Sequence, residues 1–288
     1  MTGFALALVL FSAIAHASWN LLAKRARGGV AFTWLFDALS VAFCAPLALV
    51  ALVLQQPRIG AVELVFMAGS AVLHLGYFLL LQQGYRAGDL SVVYPLARGL
   101  GPMLSTAAAI ALLGERPTPL ALLGALLIGV GVVALTGDPR TLRRSGAGRS
   151  VAYAIATGVV IAAYTLWDKQ AVGIAGAAIP PLVYFWGFTA GRALLLTPLA
   201  IARWDEVRAG WREHRTEALG IAILSPLSYI LVLIALVTSP VSYVAPAREI
   251  GILIGVLLGT RLLAEGDARR RLLAAAAMVV GVVALALG

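Results

Sequence analysis

Ala97-Arg98-Gly99-Leu100-Gly101 is answered 150 residues later by Ala247-Arg248-Glu249-Ile250-Gly251, and both stretches lie inside apolar segments of membrane-span length. The register continues downstream, where Glu115 matches Glu265 and Gly-Val-Val-Ala-Leu at 131–135 recurs at 281–285. A charged side chain at the centre of a bilayer costs about 2.5–3.5 kcal/mol even on the mildest scale. A chain that keeps the same charge in both halves of a duplication is expected to use it.

Around these segments the composition is that of an integral membrane protein. Of 288 residues, 61% are hydrophobic and 12% charged, with a mean hydropathy of +0.95, against roughly 25% charged residues in soluble chains. Apolar runs recur along the whole chain with no polar stretch of domain size, which excludes an extramembrane catalytic or nucleic-acid-binding domain. The net charge of +9 sits in short loops beside those runs, the arrangement that orients a protein in a bilayer rather than one that binds nucleic acid. The single cysteine, Cys44, excludes an intrachain disulfide and a cysteine-cluster metal site. No metal or cofactor motif is present. Ala15-His16-Ala17 resembles a cleavage site, but no cation precedes the first apolar run while Lys24, Arg25 and Arg27 follow it, so a retained first span is expected.

Apolar runs between loop signals predict an all-α protein of ten spans, at about 3–23, 30–54, 61–83, 90–113, 118–136, 151–171, 179–201, 217–237, 240–263 and 272–287. Two five-helix repeats, 1–137 and 151–288, flank a basic central loop at 138–150. An odd number of spans per repeat inverts one half relative to the other. The charges agree: basic loops follow spans one and three in the first half (Lys24, Arg25, Arg27; Arg86) but spans seven and nine in the second (Arg203, Arg208, Arg212, Arg215; Arg261, Arg269, Arg270, Arg271). With Arg140, Arg143, Arg144 and Arg149 these make 16 of the 22 cations, and the positive-inside rule puts them in the cytoplasm and both termini outside.

The duplicated unit, Trp19 near the end of span one, Tyr94-Pro95-Leu96-Ala97-Arg98-Gly99 opening span four, and Gly114-Glu115-Arg116-Pro117 before a Gly-rich span resemble the drug/metabolite transporter superfamily, specifically its EamA-type ten-helix transporters. The likeness covers nearly the whole chain. It implies transport of a small metabolite such as an amino acid, nucleobase, amine or sugar phosphate. Tyr94 to Pro102 is also similar to a subgroup of permeases associated with phosphonate use, which would suit arginine's planar fork.

Arg98 and Arg248 fall about eight residues into their spans, roughly 12 Å deep at 1.5 Å per residue, too deep for easy snorkelling. They read either as an anion-binding pair across the pseudo-twofold axis or as structural partners of a buried acid. Glu249 has no counterpart, since Gly99 occupies its place; it is a candidate proton carrier, amine ligand or counter-ion, and its direction on the helix favours a partner from another span. Span one offers His16, Trp19 and Asn20, and span six Tyr164, Trp167 and Asp168; the tryptophans fit an ammonium cage or an interfacial belt equally. Tyr94, His74, Tyr77 and Tyr229 are candidate pocket walls, with ordinary packing as the alternative. Asp37 and Arg192, in corresponding spans, are expected to form a structural or gating ion pair, and Asp168 is a further coupling candidate. Glu115 and Glu265 suit helix capping or charge pairing.

The leading expectation is a secondary transporter or exchanger of a zwitterionic or anionic metabolite, working by alternating access. It would sit in a bacterial inner membrane as monomer or homodimer, with a proton as candidate coupling ion. No ATP-binding fingerprint is present. A carrier of organic cations through an aromatic cage is the first alternative, and an intramembrane enzyme acting on a lipid phosphate through His16 or His74 is another. No His-Glu-x-x-His or Gly-x-Gly-Asp motif supports an enzyme.

Overall fold

A computed structural model describes residues 1–26, 29–87, 90–136, 147–258 and 268–288. Among them the chain is all-helical: α1 (Gly3–Ala26), α2 (Val30–Gln55), α3 (Ala61–Ala87), α4 (Leu90–Leu113), α5 (Pro119–Thr136), α6 (Ala147–Val172), α7 (Pro181–Ala202), α8 (Trp204–Thr238), α9 (Val241–Ala247), α10 (Ile250–Leu258) and α11 (Ala268–Leu287). Seven of these are long and apolar enough to cross a membrane, and Pro119–Ala134 and Leu272–Leu287 are shorter apolar helices. Backbone groups in hydrocarbon must bond within their own segment, which is why apolar runs of this length become helices. The outside is as apolar as a lipid-facing surface requires, with Val53, Leu54, Leu112, Leu194 and Leu287 among the exposed side chains.

Packing follows the duplication. α1 lies on α8 as α6 lies on α3, and α4 lies on α6 as α10 lies on α1. These are the same contacts with the halves exchanged. The pairs α2–α7 and α5–α11 map onto themselves and straddle the pseudo-twofold axis. The fold is thus ten spans in two inverted five-helix repeats, with α9 and α10 together making span nine.

Three local features differ from the sequence expectation. The polar stretch Arg203–Glu217, read as a loop, is helical, and α8 runs through it with a kink at His214 (φ −131°, ψ 30°). Charge hid the pattern, because Val207 is buried and Gly210 faces Phe32 while the arginines point outward. α6 begins at Ala147, inside the stretch assigned to the central loop. Span nine is broken in two. Pro246 supplies no N–H, and the amides of Glu249, Gly251 and Ile252 each bond a carbonyl three residues back, at 3.0, 3.1 and 2.9 Å. These three tight bonds form a turn that ends α9 at Ala247 and restarts the helix at Ile250. The loop bearing Glu265 lies outside the described residues.

Polar links fasten the axis pairs. Arg192 of α7 grips Asp37 of α2 with both arms of its fork, Nε to Oδ2 at 2.7 Å and the terminal nitrogen to Oδ1. Asp37 is 1% exposed, so the carboxylate has exchanged water for guanidinium completely. The indole N–H groups of Trp34 and Trp186 bridge the same two helices, to Thr197 Oγ1 and the Val41 carbonyl, both at 3.1 Å. α5 and α11 instead meet through glycine: a Cβ on Gly124 would stand 2.6 Å from the Gly281 carbonyl, and one on Gly281 2.7 Å from that of Gly124.

Gly281→Val and Gly124→Val are therefore expected to destabilise by at least about 1–3 kcal/mol, whereas Leu123→Val on the lipid-facing side leaves thermal unfolding in detergent nearly unchanged. A wild-type melting temperature in both glycine variants would contradict the close approach. Asp37→Ala is expected to cost about 3–5 kcal/mol by leaving a guanidinium unbalanced, and Asp37→Leu combined with Arg192→Met to recover most of that loss. Equal losses in single and double variants would show that packing, not charge, fixes α2 to α7.

Candidate functional site

The break between α9 and α10 delivers Arg248 and Glu249 to the interior opposite Arg98 of α4. Arg98 Nε stands 3.0 Å from Glu249 Oε2, with both side chains at least nine-tenths buried. Arg248 is half-buried, and its guanidinium carbon lies 5.4 Å above the ring centre of Tyr229. Such a cation–π contact contributes about 0.5–2 kcal/mol depending on desolvation. The two arginines thus divide the roles that the sequence left open for both: Arg98 is bound to the acid, and Arg248 is the accessible one. Glu249 turns away from Arg248 toward a different helix.

Tyr229 leads from Arg248 to a second polar group. Its hydroxyl donates to Asp168 Oδ2. Ser70 Oγ and Tyr184 OH donate to Asp168 Oδ1 at 2.8 and 2.6 Å. Asp168 is fully buried, with its carboxylate satisfied by three hydroxyls from α3, α7 and α8. His74 closes the group: Nε2 is 2.9 Å from Tyr229 OH, and Nδ1 is 2.9 Å from the Ser70 carbonyl. The imidazole is sandwiched between Tyr164 and Phe188, at centroid distances of 4.3 and 4.9 Å. Tyr77 meets Tyr164 edge-on at 5.9 Å. His16 lies within electrostatic range of both Arg98 and Arg248, so α1 also faces the centre.

The structure thus gathers Arg98, Glu249, Arg248, Tyr229, Asp168, His74, Tyr164, Tyr77 and His16. Others are spent elsewhere. Asn20 turns its amide back to the His16 carbonyl at 2.8 Å. Trp19 stacks edge-on against His16 and packs with the cluster around Phe32 and Leu35. Trp167 donates to the Phe66 carbonyl at 2.8 Å, with its ring on Gly69, where a Cβ would come within 2.5 Å. The two tryptophans serve helix packing and form no paired cage. Asp37 and Arg192 hold α2 to α7. The side chain of Tyr94 lies outside the described residues.

Ser70, Tyr184 and Phe188 were not singled out from the sequence. Ser70 and His74 are four residues apart on one helix face, as are Tyr184 and Phe188, so that spacing was the available signal. A cavity of about 400 Å³ at one end of the bundle, walled by Glu115, Lys169, Gly176 and Pro240, is a separate feature. Its charges are committed. Glu115 accepts from the amides of Val241 and Ser242 at 2.7 and 2.9 Å, capping α9, and Lys169 donates to the Leu236 and Ser239 carbonyls at 2.7 and 3.0 Å.

Comparison with known proteins agrees with this architecture. A crystal structure of a protein 19% identical in sequence superposes with a TM-score of 0.72, covering 98% of each chain, which shows a common fold. No curated protein matches the chain. The model of the EamA-like transporter family matches residues 3–137, and it does not single out the phosphonate-associated subgroup. With the ten-span duplicated fold, that match identifies the chain as an integral membrane protein whose first half, residues 3–137, is that of the EamA-like transporter family, consistent with the drug/metabolite transporter superfamily.

Proposed function

We propose that the chain is a secondary transporter of a small anionic or zwitterionic metabolite, received at Arg248 and moved by alternating access in a bacterial inner membrane. One observation carries the reading. Of the three charges at the break in span nine, Arg98 and Glu249 balance each other, and among the described residues Arg248 forms no ion pair. A surplus positive charge in a low-dielectric interior favours a ligand that brings a negative one. A broken span at the meeting of two inverted repeats is also where transporters of this general build hold their cargo. The amine of a zwitterion would lie toward Glu249 and the aromatic rings of Tyr164 and Tyr77.

The organic-cation alternative is less well supported. The rings of Tyr164 and Phe188 that would form a cage already enclose His74, and the unbalanced charge beside them is positive. The lipid-phosphate enzyme is disfavoured for a related reason. His74 is enclosed by rings and hydrogen bonds, and the family that residues 3–137 match is one of transporters.

Loss of one charge-assisted contact to a ligand costs about 1.5–3 kcal/mol, or about 10- to 100-fold in affinity. Arg248→Gln is expected to lower exchange in proteoliposomes by that factor while eluting as a monodisperse protein with a normal melting temperature. Arg98→Gln is expected to lower the melting temperature as well, because it strands Glu249. Screening amino acids, aminophosphonates, carboxylates and amines by thermal shift would supply the exchange substrate. Stabilisation by amines alone, or full exchange by Arg248→Gln, would sink the reading.

A further inference from the structure

An anion at Arg248 needs neither Asp168 nor His74, and the hydrogen bonds around these two can be counted proton by proton. A tyrosine hydroxyl has a single proton to donate. Tyr229 places its proton on Asp168 Oδ2. The 2.9 Å contact between Tyr229 OH and His74 Nε2 therefore needs a proton on the nitrogen. On the other side of the ring, Nδ1 stands 2.9 Å from the Ser70 carbonyl oxygen, which only accepts, and 3.1 Å from Ser70 Oγ, whose one proton is on Asp168 Oδ1, so Nδ1 carries a proton too. An imidazole protonated on both nitrogens is a cation, and the Asp168 carboxylate is its counter-ion at 3.9 Å.

Moving one proton along the chain satisfies the same contacts. Asp168 then donates to the Tyr229 oxygen, Tyr229 donates to Nε2, and the neutral ring keeps its Nδ1 proton on the Ser70 carbonyl. Both arrangements hold one proton more than an ionised Asp168 beside a neutral His74. In that deprotonated arrangement Tyr229 has one proton for two acceptors, and one buried contact fails. Leaving a buried acceptor unsatisfied costs about 1–3 kcal/mol.

We propose that Asp168, Tyr229 and His74 form a proton-binding site holding one exchangeable proton, with the Tyr229 hydroxyl as the relay between its two ends. The groups facing it from neighbouring elements are Tyr164 of α6, Tyr184 and Arg192 of α7, and Arg248 at the α9–α10 turn. Arg192 is balanced by Asp37, so the net charge presented to the proton is that of Arg248. Tyr229 touches both sites: its hydroxyl belongs to the proton chain and its ring carries Arg248. Coupling of proton to cargo rests on the substrate reading above, whereas the proton site itself stands on hydrogen bonds alone.

The chain has three histidines, so isotope-labelled histidine in the full-length protein in lipid nanodiscs gives three imidazole signals, with that of His74 assigned by its loss in His74→Gln. At neutral pH, either both nitrogens of His74 carry protons or infrared spectroscopy shows a protonated carboxyl band that disappears in Asp168→Asn. Tyr229→Phe keeps the ring beneath Arg248 and removes only the relay. It is expected to change the protonation of His74 or Asp168 relative to wild type. A wild-type protein with one bare His74 nitrogen and no Asp168 carboxyl band would overturn the proposal, as would Tyr229→Phe with both signals unchanged. Neither measurement depends on transport, so failure here is distinct from failure of the Arg248 reading.

Discussion

A charge inside a membrane bundle must be balanced within the bundle, and the contact between Arg98 and Glu249 does this where the two halves of the chain face each other. Without Glu249, two arginines would confront one another in a medium that screens poorly. With it, one arginine is fixed and the other remains available. The broken span makes this possible. The turn at Arg248 and Glu249 sends the acid toward α4 and leaves the adjacent guanidinium over Tyr229.

The scaffold is close to symmetric while the chemistry is not. Asn20 and Asp168 hold matching places near the ends of α1 and α6, yet Asn20 bonds within its own helix and Asp168 gathers hydroxyls from three others. Gly99 and Glu249 differ by a whole charge at matching positions. The shared pattern of helix packing fixes where the repeats meet, and a few unmatched side chains set the charge of that meeting place. Duplication supplies the geometry, and divergence supplies the polarity.

Much of the fold was legible because a bilayer allows few solutions: apolar length gave the spans, and a common offset gave the repeat. Asp37 and Arg192 were readable as partners because each is an isolated charge in a corresponding span. His74 and Asp168 were both visible as polar residues in apolar runs, but their connection depends on which faces of α3 and α6 meet, and weakly amphipathic membrane helices do not announce a face. Ser70 and Tyr184 escaped notice for the same reason. The break in span nine had a written cause in Pro246, yet Pro95 occupies nearly the same place in the unbroken α4, so proline alone does not decide it.

Glu115, which lies between α4 and α5, holds the first amides of α9, and α9 packs on both of those helices. By covalent order α9 belongs to the second repeat; by what grips it, it belongs to the first. Its two ends are tied to the first half, through Glu115 at one and through Arg98 to Glu249 just past the other. α10 in turn lies on α1 of the same first half, so span nine as a whole is held by the repeat to which it does not belong. The turn at Arg248 and Glu249 therefore joins two pieces of helix that are each anchored across the repeat boundary, which makes this short stretch of backbone a seam between the two halves.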